Sequence, residues 1–165
     1  MLRKVVVVVA AIAVLALVNV VVAKREQLLA DGRIVRLELA PVDPRSLLQG
    51  DYMALQFRVA VDAQRSLAAA SAGDGSLVLA LDASDVGRFV RRDDGTPLGE
   101  RDLRMRYRLR DGRVRLATNA WFFEEGQGKR FESARYGEFR VSPSGEALLA
   151  QLLDARLQPI AASAQ

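Results

Sequence analysis

The sequence predicts a mainly β protein: an antiparallel, sandwich-like sheet domain with one or two short helices, set behind an N-terminal transmembrane helix. Three observations carry that expectation. Val5 to Ala23 is apolar throughout except for Asn19. The rest of the chain falls into short runs in which apolar and polar residues alternate, the period of half-buried strands. Turn residues separate those runs, most plainly at Asp111-Gly112.

The apolar run comes first. At about 1.5 Å rise per residue it reaches nearly across a hydrocarbon core of roughly 30 Å. Arg3 and Lys4 precede it, and Lys24 and Arg25 follow it. The alternative is a signal peptide cut after Val21-Val22-Ala23. Such signals carry an apolar stretch of about 7–15 residues, shorter than this one, so a retained anchor is preferred. Residues 1–4 are then a cytoplasmic tail and 5–23 the anchor. Residues 24–32 are a linker that continues the helix to Gly32, and 33–160 are an extracytoplasmic β-rich domain. Two basic residues stand on each flank, so the free amine tips the N-terminus toward the cytoplasm, and a long following domain translocates largely regardless of its charge.

Of the 24 Lys+Arg, the four that flank the run leave 20 against 20 Asp+Glu in the domain. A domain this balanced lacks the basic surplus of a general nucleic-acid binder. With no cysteine the chain is neither a disulfide scaffold nor a cysteine-anchored lipoprotein.

Along the domain, Val35, Leu37 and Leu39 alternate with Arg36 and Glu38 as a strand that Pro41 ends. The stretch "DPRSLLQGDYMALQF" then packs three signals together. Asp43-Pro44 starts a helix, Arg45 to Gln49 gives a short corner helix, and Gly50 stops it. Met53, Leu55, Phe57, Val59 and Val61 share one face of what the alternation predicts as one long strand of about ten residues. Residues 64–75 are small and polar and predict a loop. "SLVLALDA" is a strand, and "VGRFVRRDDGTPLGERD" a short strand with a turn-rich loop. In "DLRMRYRLRDGRVRLATNA", a type I′ turn at Asp111-Gly112 pairs Leu109 with Val114 and Tyr107 with Leu116 on one face. Trp121 to Phe123 extend a strand, and Lys129 to Tyr136 predict a short helix stopped by Gly137. Phe139 and Val141 begin a strand that Pro143-Ser144-Gly145 turns, and the short apolar run Ala147 to Leu153 fits strand or helix, the turn before it favouring a last strand.

No residue type announces a reaction. Without histidine the Ser-His and Cys-His nucleophile systems and most zinc sites are excluded. A carboxylate-dependent hydrolase would have to draw on Asp93-Asp94, Glu124-Glu125 or Asp51. Asp93-Asp94 reads as a turn, and Glu124 and Glu125 would face opposite ways on a strand. No catalytic residue, cofactor or metal site is assigned. The arginines are the unusual feature. Arg104, Arg106, Arg108 and Arg110 share one strand face, and the hairpin sets Arg113 opposite Arg110 and Arg115 opposite Arg108. Like charges so placed oppose pairing by up to roughly 1 kcal/mol each. Acids from a neighbouring strand would compensate. The sharper alternative is an anion-facing surface for lipid headgroups, a glycan phosphate or an acidic partner.

"PVDPRSLLQGDYMALQF" closely resembles the signature of the GDYXXLXY family, through Gly50, Asp51, Tyr52, Leu55 and Phe57. The family's last aromatic is usually tyrosine, so Phe57 departs mildly. "WFFEEGQGKRFESARYGEFRV" resembles a second family segment, with Glu124 where a proline often stands. The resemblance spans most of residues 33–153. It implies a single-pass protein of a bacterial inner membrane with its domain in the periplasm, of a kind often encoded beside multi-pass membrane proteins. The family is uncharacterised in function, so the resemblance carries over no catalytic residue. The expectation is a non-enzymatic interaction domain, an accessory partner of an integral membrane protein. The alternative is a binding module for an anionic ligand or envelope polymer.

Overall fold

The computed structural model describes residues 2–40, 52–67 and 73–160. The expected corner helix, with Gly50 and Asp51, lies outside them. Helix α1 (Leu2–Asp31) covers the apolar run and its polar continuation without a break. It is long and apolar enough to cross a membrane, and the domain buries none of its apolar stretch. Gly32 ends it: its N–H donates to the Leu28 carbonyl (2.9 Å), and its carbonyl accepts from Arg140 Nη1 (3.3 Å). A Cβ at Gly32 would stand 2.9 Å from the Arg140 Cβ, so only glycine lets the helix end this close to the sheet.

Nine strands follow among the described residues. β1 (Arg33–Glu38), β8 (Tyr136–Val141) and β9 (Ala147–Leu153) form an antiparallel sheet in the order β1-β8-β9. β3 (Gly75–Leu81), β4 (Gly87–Arg92), β5 (Asp102–Arg110) and β6 (Arg113–Arg115) form a second, ordered β4-β3-β5-β6. β2 (Tyr52–Ala54) pairs with β7 (Ala120–Phe122). The mainly antiparallel architecture is the expected one. Its core draws Val35, Leu37 and Phe139 from the first sheet and Leu77, Leu79, Met105 and Tyr107 from the second. Main-chain bonds tie the sheets together. Arg36 N–H donates to the Asp85 carbonyl, and Arg106 N–H to that of Gly145, both at 2.8 Å.

Three expectations need correction. The long strand from Met53 to Val61 stops at Ala54, and Arg58–Leu67 is helix α2 instead. Val59, Ala60, Ala63 and Leu67 are its buried residues, a helical spacing that packs across β1, β4 and β6. Two valines continued the strand period by coincidence, and the alanines that carry the helical face resemble loop residues. The loop expected from residue 64 is therefore helical as far as Leu67. The helix expected over Lys129 to Tyr136 is only Gly128–Phe131 (α3). Tyr136 and Gly137 belong to β8, where they pair with Glu38 and Leu37. A ladder between two strands overrides a weak local helix preference there.

The hairpin has the expected turn and register, with Leu109 opposite Val114, but its ladder ends at Arg108 and Arg115, short of the expected Tyr107–Leu116 pair. Asp111 and Gly112 have φ of 51° and 68°, the left-handed pair that a type I′ turn requires. Arg108 faces Arg115, Leu109 faces Val114 and Arg110 faces Arg113.

Candidate functional site

Of the signature residues, three are described. Tyr52 is half-buried on β2, its ring 5.8 Å from that of Phe122. Leu55 is buried, and its N–H donates to the Asn119 carbonyl (2.8 Å). Phe57 is buried edge-on against Phe139, with centroids 5.1 Å apart, and its main chain bridges to Leu39. Its carbonyl accepts from Ala60 and Val61 N–H as α2 begins. Gly137 makes room for the ring, since a Cβ there would lie 2.9 Å from Phe57 Cε1. The described part of the signature is therefore a packing device. Leu55 continues the pairing of β2 toward the segment before β7, and Phe57 fastens the start of α2 to the three-stranded sheet.

The arginine face divides in two. Arg104 Nε meets Asp93 Oδ2 at 2.7 Å, and Arg110 Nη1 meets Asp74 Oδ1 at 3.0 Å. These are the compensating acids, and both come from loops. Asp74 also accepts from Leu109 N–H (2.8 Å). That main-chain bond, with Arg110 and then Arg108, holds its carboxyl below the ordinary 3.8 of an aspartate. Arg106, Arg108, Arg113 and Arg115 have no ion pair among the described residues. Three of them line one cleft of about 230 Å³. Arg106 and Arg108 on β5 and Arg115 on β6 meet Arg25, which reaches it from α1. Glu146 is the single carboxylate lining it.

The depressed Asp74 carboxyl makes a pH prediction with a definite sign. A carboxyl held below its unfolded value stabilises the fold above that value, and the contribution fades as pH falls through the folded value. The thermal midpoint of the full-length chain should therefore exceed that of Asp74→Asn at pH 6. The gap should close below about pH 4. A gap unchanged down to the most acid pH tolerated would show that Asp74 acts through shape alone.

The other carboxylates do structural work. Asp93 also accepts from Gly95 N–H, and Asp94 binds Thr96 and Arg91, so together they build the turn. Glu124 accepts from Gln127 Nε2 (3.0 Å), and Glu125 is exposed beside it. Among the described residues no three Asp or Glu side chains gather as metal ligands would.

Three features escaped the sequence reading. Gln64 of α2 clamps the hairpin, donating to the Gly112 carbonyl and accepting from Val114 N–H (2.7 Å) at the rim of a cleft of about 550 Å³. Glu138 is a buried carboxylate held by Arg36 and Gln151. The third is the arrival of Arg25 at the arginine cleft. Only the polarity of these residues was visible in one dimension, and their partners lie far along the chain.

A family model described as GDYXXLXY protein matches residues 14–152. The chain belongs to the GDYXXLXY family. No curated protein and no solved structure matches it. For a GDYXXLXY protein the geometry has a direct consequence. Leu55 and Phe57 of the signature are buried, Arg113 and Arg115 line the same large cleft as they do, and Arg106 and Arg108 lie on the exposed face of β5. A surface that meets other molecules is better sought at the arginines than at Leu55 or Phe57.

Proposed function

We propose that this chain is a membrane-tethered interaction domain, a non-enzymatic accessory partner of an integral membrane protein. In this reading α1 spans the inner membrane of a bacterium once, with Arg3 and Lys4 in the cytoplasm and the domain in the periplasm. The observation that supports it best is the junction. Only Gly32 separates the last residue of α1 from the first of β1. A flexible linker would suffice to keep a domain near the membrane without fixing its orientation. A one-residue junction packed on Arg140 fixes the height and rotation of the domain relative to its helix, as docking to a partner in the same bilayer demands.

The test is crosslinking of the tagged full-length chain in intact cells, followed by solubilisation and identification of what copurifies. A recurrent, near-stoichiometric integral membrane protein is expected. It should be lost when a flexible Gly-Ser linker is inserted after Gly32. No such partner, or one captured equally well through the slack linker, would overturn the reading. A second reading, a module for an anionic ligand, is favoured by the arginines that lack acidic partners.

A further inference from the structure

The arginine cleft has a neighbour that narrows its chemistry. Arg25 also lines a second, more apolar groove of about 450 Å³, with Trp121, Phe122, Leu148 and Leu149 on its walls. Phe122 is 73% exposed, by far the most exposed large apolar side chain of the described β domain. One residue of α1 thus touches both a cationic cleft and an exposed aromatic groove. That residue stands two positions after Ala23, the end of the apolar run, or about 3 Å farther along the helix axis. The headgroup layer of a bilayer is about 5–7 Å deep on each side of its hydrocarbon. With α1 across a bilayer, both features therefore lie at headgroup depth.

We propose that Arg25, Arg106, Arg108 and Arg115 bind the phosphate of an anionic phospholipid headgroup, with Phe122 settled into the same interface. This deepens the anion-binding reading and rests on α1 spanning the membrane. Among the described residues, four arginines and one glutamate line the cleft. Arg108 and Arg115 stand directly opposite each other across the hairpin. Their repulsion is relieved by an anion placed between them. Arginine suits the task better than lysine, because its planar fork donates two parallel hydrogen bonds to phosphate oxygens. An aromatic ring beside the cation is the usual company at a membrane–water interface. The headgroup would hold the domain down on the bilayer and set the orientation in which it meets other membrane components.

Native mass spectrometry of the full-length chain in neutral detergent, titrated with phosphatidylglycerol or with zwitterionic phosphatidylcholine, tests the assignment. Phosphatidylglycerol should be retained in preference. Arg108→Gln/Arg115→Gln should weaken it about thirtyfold, the combined effect of two cations at a membrane surface. Arg88→Gln/Arg92→Gln removes two charges from β4, at the other edge of the same sheet, and should leave retention unchanged. Equal retention of the two lipids, or equal loss in the two double variants, would overturn the proposal. Inorganic phosphate binding with the same arginine dependence but without lipid preference would keep the anion reading and sink the lipid. Trp121 packs inward on Phe131, so a Phe122→Trp/Trp121→Phe variant puts a single reporter on the exposed face of β7. Brominated phospholipids in nanodiscs should quench it. Unquenched emission would place the face away from the bilayer and overturn the proposal even if the arginines bind phosphate.

Discussion

Phe57→Ala should lower the stability of the domain by about 3–5 kcal/mol, the usual cost of emptying a buried phenylalanine site. The ring is 2% exposed and meets Phe139 edge-on. It also fills the space that the absent Cβ of Gly137 leaves open. Its neighbours cannot collapse into the hole easily, because Phe57 lies where β2's extension turns into α2 and each side is held by main-chain bonds. The site also borders the large cleft between α2 and β6, so truncation would enlarge an existing opening. For a domain of this size the thermal midpoint of the full-length chain in detergent, followed by Trp121 emission, should fall by roughly 10–20 °C. Phe57→Leu should lose distinctly less, which keeps the prediction testable if the alanine variant does not fold. A shift of only a few degrees for alanine would mean that the aromatic position does not hold the core, and the signature would then need a ligand to explain it.

What the sequence made legible followed from two signals agreeing. At the Asp111-Gly112 hairpin the turn chemistry and the alternation specify one register, and β5 and β6 have it. Where one signal stood alone it misled. Val59 and Val61 prolonged the alternation of Met53, Leu55 and Phe57, although the buried face of α2 joins Val59 to Ala60, Ala63 and Leu67 at helical spacing. Alanine on a helix buried by tertiary packing carries little one-dimensional signal. The arginine face was legible as a set of positions, because strand alternation alone places it. Its division into paired and unpaired members was not. Asp74 reaches Arg110 from 36 residues away, and Arg25 comes from a helix whose own pattern says only that it is apolar. Glu138 lies on a strand of ordinary composition, and nothing near it in sequence marks it as buried.

Glu138→Ala should cost about 2–3 kcal/mol, below the roughly 3–5 kcal/mol of a fully buried pair because Arg36 retains some access to water. Glu138 Oε2 accepts from Arg36 Nε at 3.1 Å, and Oε1 accepts from Gln151 Nε2 at 2.9 Å. The three residues are direct cross-strand neighbours on β1, β8 and β9, and the ladder itself brings them together. Arg36 also donates from Nη1 to the Ser84 carbonyl (2.7 Å), in the loop before β4. The carboxylate thus anchors a guanidinium that links the two sheets. Removing it leaves a partly buried cation and an unpaired amide, each of which loses more than the bond was worth. Glu138→Gln should fall between wild type and alanine, since it keeps an acceptor for Gln151 but loses the charge. The discriminating variant is Arg36→Met/Glu138→Leu, which removes both charges and keeps the volume. If the pair matters mainly by not leaving a charge stranded, this double variant should recover most of the loss in thermal midpoint. If it remains as unstable as Glu138→Ala, the link from Arg36 to Ser84 is what holds the sheets together. Arg36→Met alone should then reproduce the whole effect.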